Sequence, residues 1–344
     1  LKYNIIYNTR MDTLFETIKA NRVINNPDIK DASVKMYCTN VTKLAKMLGI
    51  EKFQENADWM GDLDQVKEKL KDAGLHYSSV RNYINSAMIF MTCFEGNEKV
   101  LIDYTEYRDH LSQMYENEQA SGIWTEKQGK NAISMDDLNK VILGIGNEIK
   151  EQKLKEKAKF KGLTSTERSL MQLYMILSVH VVFPFRNDLS GMKIIKLQQY
   201  KALTDEQRKA NNFLVKEKSK MSFHLNQYKT SKLYSEKVID IPADLRRTMR
   251  FYLAVMNPFN YLLEQNSGDM MTKNALSQLL TKSFKKRTGK AVSTTLIRKI
   301  YMSERYGSMK EALEADNSNM MHSAGTALKI YVKKSATVDP SPVE

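Results

Sequence analysis

Cysteine and proline are scarce in this chain, and it has no long hydrophobic run. The 344 residues include 2 Cys, 6 Pro and 14 Gly. Cys38 and Cys93 have no partners at metal-ligand spacing, which argues against a disulfide framework and favours a reducing compartment. A membrane span needs about 20 apolar residues, whereas the longest apolar run, LMQLYMILSVHVVF, is interrupted by His180. We therefore expect an intracellular globular protein with no membrane contact, in the cytoplasm or nucleoid, or in the host nucleus if the source is eukaryotic.

Motifs for nucleotide and metal chemistry are also missing. The nearest approach to a phosphate-binding loop, RTGKAV, lacks the first glycine and the hydroxyl residue that follows the lysine. The five histidines have no zinc-like spacing, and Asp62 and Asp64 fit a solvated helix face better than a cation site. We therefore expect neither a nucleotide-phosphate loop nor a site for metal catalysis.

Positive charge is abundant, and it is unevenly distributed. Residues 1–120 contain 15 Lys+Arg against 18 Asp+Glu, whereas the remaining residues contain 38 against 22. The first part is therefore slightly acidic and the second strongly basic. A basic domain of this kind favours a nucleic-acid partner, and the alternative is that lysine-rich helices only keep the protein soluble.

Hydrophobic periodicity predicts a mainly α protein with a small antiparallel β-sheet. Helical spacing recurs in the first part, for example in KDASVKMYCTNVTKLAKMLG behind a Ser33 cap and in HYSSVRNYINSAMIFMTCF. In the second part an apolar run, TSTERSLMQLYMILSVHVVF, predicts a central helix. Short β-type runs in NNFLVKEK, MSFHLNQY and EKVIDIP predict the sheet. The expected organisation is a helical domain at 1–118, a linker at 119–132, an α+β domain at 133–334 and a disordered tail at 335–344.

Five residues in the basic part form an ordered series. Arg186 lies in FPFRNDLSGMKI, directly after the predicted central helix, and Lys229 lies at the tip of a predicted hairpin in NQYKTSKLYSEKVIDIP. Arg298 lies near a helix start in VSTTLIRKIYMSERY, and His322 and Tyr331 lie in NMMHSAGTALKIYVKK. Each has an ordinary interpretation as a capping, solubilising or amphipathic-helix residue. Together the five residues support a more specific interpretation.

The order Arg, hairpin Lys, helix-borne Arg, His, and Tyr nine residues later resembles the catalytic domain of the tyrosine recombinases, the phage-integrase family. The segment around Arg186 resembles the family's arginine segment, in which an acid followed by leucine comes after the arginine, with Asp188 as the acid, and MMHSAG resembles its Leu-Gly-His-Ser segment. The resemblance covers roughly residues 10–335. It implies a helical, SAM-like core-binding domain followed by an α+β catalytic domain.

The resemblance also implies a role for each residue. Tyr331 would attack a DNA phosphodiester and form a 3′-phosphotyrosyl link, and Lys229 would protonate the 5′-oxygen leaving group. Arg186 and Arg298 would bind the non-bridging oxygens, and His322 would donate a further hydrogen bond. The positive groups at the phosphate would take the place of a metal, and rejoining would need no ATP, so the resemblance implies no cofactor.

One position departs from the family pattern. The family carries His-x-x-Arg at the helix-borne arginine, whereas this chain has Thr295 three residues before Arg298. Threonine can form a hydrogen bond but cannot exchange a proton near neutral pH. Catalysis could therefore be retained, slowed or lost.

The function implied is site-specific recombination or integration of DNA, in a virus or mobile element. Double-stranded DNA carrying specific recombination sites is the expected partner, bound in a C-shaped clamp. A homotetramer would assemble on DNA from a free monomer or dimer. Lys35, Lys43, Lys46 and Arg81 are candidate DNA contacts in the first domain. Two alternatives remain: a type IB topoisomerase-like enzyme, and a catalytically weakened DNA-binding relative.

Overall fold

The computed structural model describes residues 2–228, 231 and 236–319, with side chains described between residues 12 and 316 of these ranges. It divides into two compact units, Leu1–Ile123 and Trp124–Glu344. Most of the described chain is helical, with one four-stranded sheet. No helix among the described residues is both long enough and apolar enough to cross a bilayer.

The first unit is built from helices. They are α1 (Lys2–Asn25), α2 (Asp31–Met47), α3 (Leu63–Asp72), α4 (Tyr77–Met91) and α5 (Glu98–Ala120), with a 3₁₀ turn at Asp58–Met60. The buried stripe of α2 repeats at helical spacing as the sequence predicted, and it includes Val34, Val41 and Leu44. Ser33 is not the cap, because α2 begins at Asp31, whose carboxylate in the first turn suits the positive end of the helix dipole.

The second unit packs helices around a central one. The helices up to the sheet are α6 (Glu126–Asn131), α7 (Met135–Glu151), α8 (Leu154–Phe160) and α9 (Ser165–His180), and those after it are α12 (Ala243–Met256), α13 (Lys273–Thr288) and α14 (Thr294–Asn319). As predicted, α9 is buried along most of its length and contacts α7, α12, α13 and α14. Thr164 and Glu167 form a capping box that fixes its start.

The predicted linker contains regular structure. Its first two residues end α5, and residues 126–131 form α6. Within the second unit, Asn131 Oδ1 accepts a hydrogen bond from Ala291 N–H at 2.6 Å, and Lys290 Nζ donates to Ala132 O at 2.6 Å. The segment is therefore bound to the chain just before α14.

The sheet has four strands in the order β1 (Lys193–Lys196), β2 (Phe213–Lys216), β3 (Met221–Leu225) and β4 (Lys237–Asp240). The three predicted strands are present and pair antiparallel. The expectation of an antiparallel sheet is nevertheless wrong, because β1 runs parallel to β2. Parallel neighbours require a crossover connection, and α10 (Leu197–Lys201) and α11 (Asp205–Lys209) provide it. The four residues of β1 were missed because they run into α10 without a turn residue.

Candidate active site

Arg186 is carried by a turn that aromatic rings anchor to the sheet. After α9 ends at His180, the rings of Phe183 and Phe185 stack with centroids 5.7 Å apart. Both meet Phe223 of β3 edge-on, at 6.1 and 5.5 Å. Phe185, directly before Arg186, thus packs on the sheet. The side chain of Arg186 is exposed on this supported turn.

His180 lies beneath the same turn and is fully buried. Its Nδ1 is 2.7 Å from Ile176 O and its Nε2 is 3.4 Å from Arg186 O. Burial lowers the pKa of His180, although these carbonyls and the Asp188 carboxylate act in the opposite direction. The imidazole therefore belongs to the support of the turn.

Arg298 lies in the second turn of α14, half-buried. Ser293 lies directly before this helix and caps it, because its hydroxyl accepts a hydrogen bond from Leu296 N–H at 3.2 Å. The next residue, Thr294, is buried, and its Oγ1 donates to Asn187 Oδ1 at 2.8 Å. The start of α14 is thereby attached to the turn that carries Arg186.

The two arginines share one electrostatic neighbourhood with Asp188. This carboxyl is 8% exposed, and burial raises its pKa against the opposing charges of Lys273, Arg186 and Arg298. Burial also lowers the pKa of Arg298, the charge of Arg186 lowers it further, and Asp188 counteracts both. Two cations 112 positions apart in the sequence are thus brought around one buried acid.

Lys273 is a member of this cluster that the sequence reasoning missed. It is the exposed first residue of α13, which Thr272 caps by accepting a hydrogen bond from Ala275 N–H. A cation is disfavoured at the positive end of a helix dipole. A lysine directly after a capping threonine is therefore unusual, and this local pattern could have identified Lys273 from the sequence.

Thr295 is exposed in the first turn of α14, three residues before Arg298. Helix residues three apart lie on the same face. Thr295 therefore accompanies Arg298 on one side of α14, as the family's histidine would. The remaining predicted site residues, Lys229, His322 and Tyr331, lie outside the described residues.

In the first unit, three of the four candidate DNA contacts form one group. Lys35, Lys43 and Lys46 are exposed on α2, and at about 100° per residue they lie within an arc of about 80°. We call them the α2 lysine stripe. Among the described residues none of the three forms an ion pair. Arg81, on α4, is half-buried, and its guanidinium lies 4.7 Å from the centroid of the Tyr115 ring.

The D-x-D pair has a structural role. Asp62 caps α3, and its Oδ1 accepts hydrogen bonds from Asp64 N–H and Gln65 N–H, both at 3.0 Å. Within the described ranges, no group of His, Cys, Asp and Glu is arranged to hold a metal ion.

No protein-family model matches the chain, and no curated protein matches it significantly. Its function is therefore inferred from its residues and their geometry.

Proposed function

We propose that the chain is a site-specific DNA recombinase or integrase of a virus or mobile element. It would cleave and rejoin DNA through a 3′-phosphotyrosyl link to Tyr331. The observation that carries the proposal is the convergence of Arg186 and Arg298 near the buried Asp188, in the part of the chain with the excess of basic residues. The order of residues that resembles the tyrosine recombinases supports it independently.

The arginine pair supplies the electrostatic part of the mechanism. A phosphodiester under attack passes through a pentacoordinate phosphorane with extra negative charge on its non-bridging oxygens, and guanidinium forks match that charge and shape. Two guanidinium groups that share a site repel each other. The Asp188 carboxylate offsets part of this repulsion, since it acts to raise the pKa of Arg298, so both guanidinium groups can face one phosphate.

The covalent steps belong to the other residues of the series. The Tyr331 oxygen loses its proton to solvent water and forms a bond to phosphorus while the bond from phosphorus to the 5′-oxygen breaks. Lys229 supplies the proton that the leaving oxygen takes up. His322 donates a hydrogen bond to the phosphate. Rejoining reverses these steps, because the phosphotyrosyl link conserves the energy of the bond. Thr295 can donate a hydrogen bond near Arg298 but cannot act as a proton acceptor at neutral pH.

DNA binding would extend to the first unit through the α2 lysine stripe. Its three ammonium groups are free of ion pairs among the described residues, so they are available for phosphates. Arg81 is a weaker candidate, because its guanidinium already stacks on Tyr115. On paired recombination sites the chain would act as a homotetramer, assembled from a free monomer or dimer.

A covalent-adduct assay tests the proposal. The protein is incubated with a nicked duplex made from the DNA that flanks its gene, which traps the cleaved state because the released short strand diffuses away. We expect an SDS-resistant protein–DNA adduct with the wild type and none with Tyr331→Phe. Tyr306→Phe is the matched control, since this exposed tyrosine lies on α14 of the same unit and is not in the proposed set of catalytic residues, so the adduct should remain intact.

The other outcomes separate the alternatives. No adduct with the wild-type protein, despite binding of the duplex, would refute the proposal and favour a DNA-binding relative that has lost cleavage. Relaxation of supercoiled plasmid that lacks any such site would favour the type IB topoisomerase-like alternative. Strand exchange that requires two copies of the site would support the recombinase.

A further inference from the structure

One amide side chain joins three segments at the candidate site. Asn187 directly follows Arg186, and its Oδ1 accepts the hydrogen bond from Thr294 Oγ1 at 2.8 Å. Its Nδ2 donates to Lys273 O at 3.4 Å, at the start of α13. The turn after α9 is therefore bonded through Asn187 to the starts of both helices that carry the other two cations.

The remaining bonds of this turn hold it to other parts of the unit. Ser190 Oγ donates to Met271 O at 2.7 Å, and Asn212 Nδ2 donates to Asp188 O at 3.4 Å. The Thr294–Asn187 hydrogen bond is the only one between the turn and α14 among the described residues. Since Thr294 is 4% exposed, water cannot easily replace it.

We infer that Asn187 and Thr294 are positioning residues, whose hydrogen bond sets the relative placement of Arg186 and Arg298 for one phosphate. The inference rests on the proposed function. Neither residue needs to touch DNA for this role. Arg186 precedes the acceptor by one residue, and Arg298 follows the donor by one helical turn, so a shift at the bond reaches both guanidinium groups.

Thr294→Val tests the inference, because it replaces the hydroxyl with a methyl of similar size. We expect adduct formation to fall roughly tenfold to a hundredfold, the scale expected for a misplacement of about 1 Å. The affinity for a duplex should change less than about twofold, because many other phosphate contacts set it. Thr294→Ser retains a donor and should restore most of the rate. The matched control is Thr288→Val, whose hydroxyl bonds, among the described residues, only to Phe284 O within α13 and to Lys290 N–H just after it.

Two further measurements distinguish positioning from a general loss of stability. On DNA with a neutral methylphosphonate at the cleaved position, Thr294→Val should lose less of its rate than on normal DNA, because less charge needs to be balanced. The combination of Asn187→Ala with Thr294→Val should cost no more than the worse single substitution, since both remove the same bond. A purely structural defect would affect both DNA substrates equally.

A measurement that does not depend on DNA cleavage tests this inference separately from the proposed function. Inorganic sulfate should raise the melting temperature of the wild type above that in chloride of equal ionic strength, and Thr294→Val should lose at least half of this rise. If the wild type forms no adduct, the proposed function is refuted. The melting temperatures in sulfate still test whether the Thr294–Asn187 hydrogen bond places the two arginines around one anion. A Thr294→Val protein that matches Thr288→Val in adduct rate or in sulfate response overturns the inference.

Discussion

The aromatic support of the Arg186 turn gives a prediction whose size follows from the structure. Phe223 is fully buried and meets both Phe183 and Phe185 edge-on. Such pairs are each worth about 0.5–1.5 kcal/mol beyond the burial of their area. Phe223→Leu keeps an apolar residue in place but removes both pairs. It should therefore cost about 1–3 kcal/mol more than a Phe→Leu change at an equally buried site without such partners.

Phe284, on α13, provides that site, because it is 1% exposed and belongs to the same core. No ring pair involves it among the described residues. The losses of buried area and the cavities are similar in the two variants and largely cancel in the comparison. For a domain of this size, an excess of about 2 kcal/mol corresponds to a melting temperature about 4–8 °C lower for Phe223→Leu.

Differential scanning calorimetry of the full chain measures the difference. A double-mutant cycle of Phe223→Leu and Phe185→Leu should give a coupling free energy of about 0.5–1.5 kcal/mol. Equal melting temperatures for Phe223→Leu and Phe284→Leu, or a cycle with no coupling, would refute the reasoning. Phe223→Leu should also slow adduct formation more than Phe284→Leu does, because it removes the support of Arg186.

Three further predictions concern charge. The pKa of Glu167 is lowered from 4.5 to about 2 by hydrogen bonds from Lys157 and Thr164, so its carboxylate stabilises the fold above about pH 4.5 and this contribution is lost as the pH falls toward 2. Glu167→Gln should flatten the dependence of the melting temperature on pH in that window, and an unchanged slope would contradict it. Burial raises the pKa of Asp188 above that of an aspartate in the unfolded chain. The free energy of unfolding therefore decreases as the pH rises from the ordinary pKa of an aspartate toward the raised pKa. Asp188→Asn should therefore melt no lower than the wild type at neutral pH while forming adduct more slowly, and a clear loss of thermal stability at neutral pH would show that the charge itself holds the site together. Replacing the α2 lysine stripe with glutamine should reduce the slope of log affinity for duplex DNA against log salt concentration by about 2–3, and binding titrations with an unchanged slope would place DNA elsewhere.

Local patterns in the sequence were sufficient for much of the fold. The continuous apolar run predicted α9, and short β-type runs separated by Lys- and Ser-rich turns predicted β2, β3 and β4. Both signals depend on residues close together in the chain. The position of Arg186 after a buried element followed from the same reasoning. The parallel strand β1 did not, because its four residues carry too little periodicity and continue directly into α10.

The contacts that build the candidate site were beyond such patterns. Thr294 and Asn187 lie 107 positions apart, and nothing near either residue signals the bond between them. The stacking of Phe183 and Phe185 on Phe223 likewise depends on the pairing of β3 in the sheet. The sequence therefore indicated which residue types could serve a phosphate, while their arrangement and supports required the fold.

The segment between α5 and α7 bears on how the second unit can be isolated. Residues 126–131 form α6, and Lys299 of α14 donates to Gln128 Oε1 at 3.1 Å, in addition to the bonds at Asn131 and Ala132. A fragment that began at residue 133, the boundary predicted from the sequence, would remove all these partners of α14 and of the residues just before it. Trp124, which packs against the core of the second unit, would be lost with them. Limited proteolysis and recombinant dissection should therefore cut before Trp124 if the helix that carries Arg298 is to keep its native start.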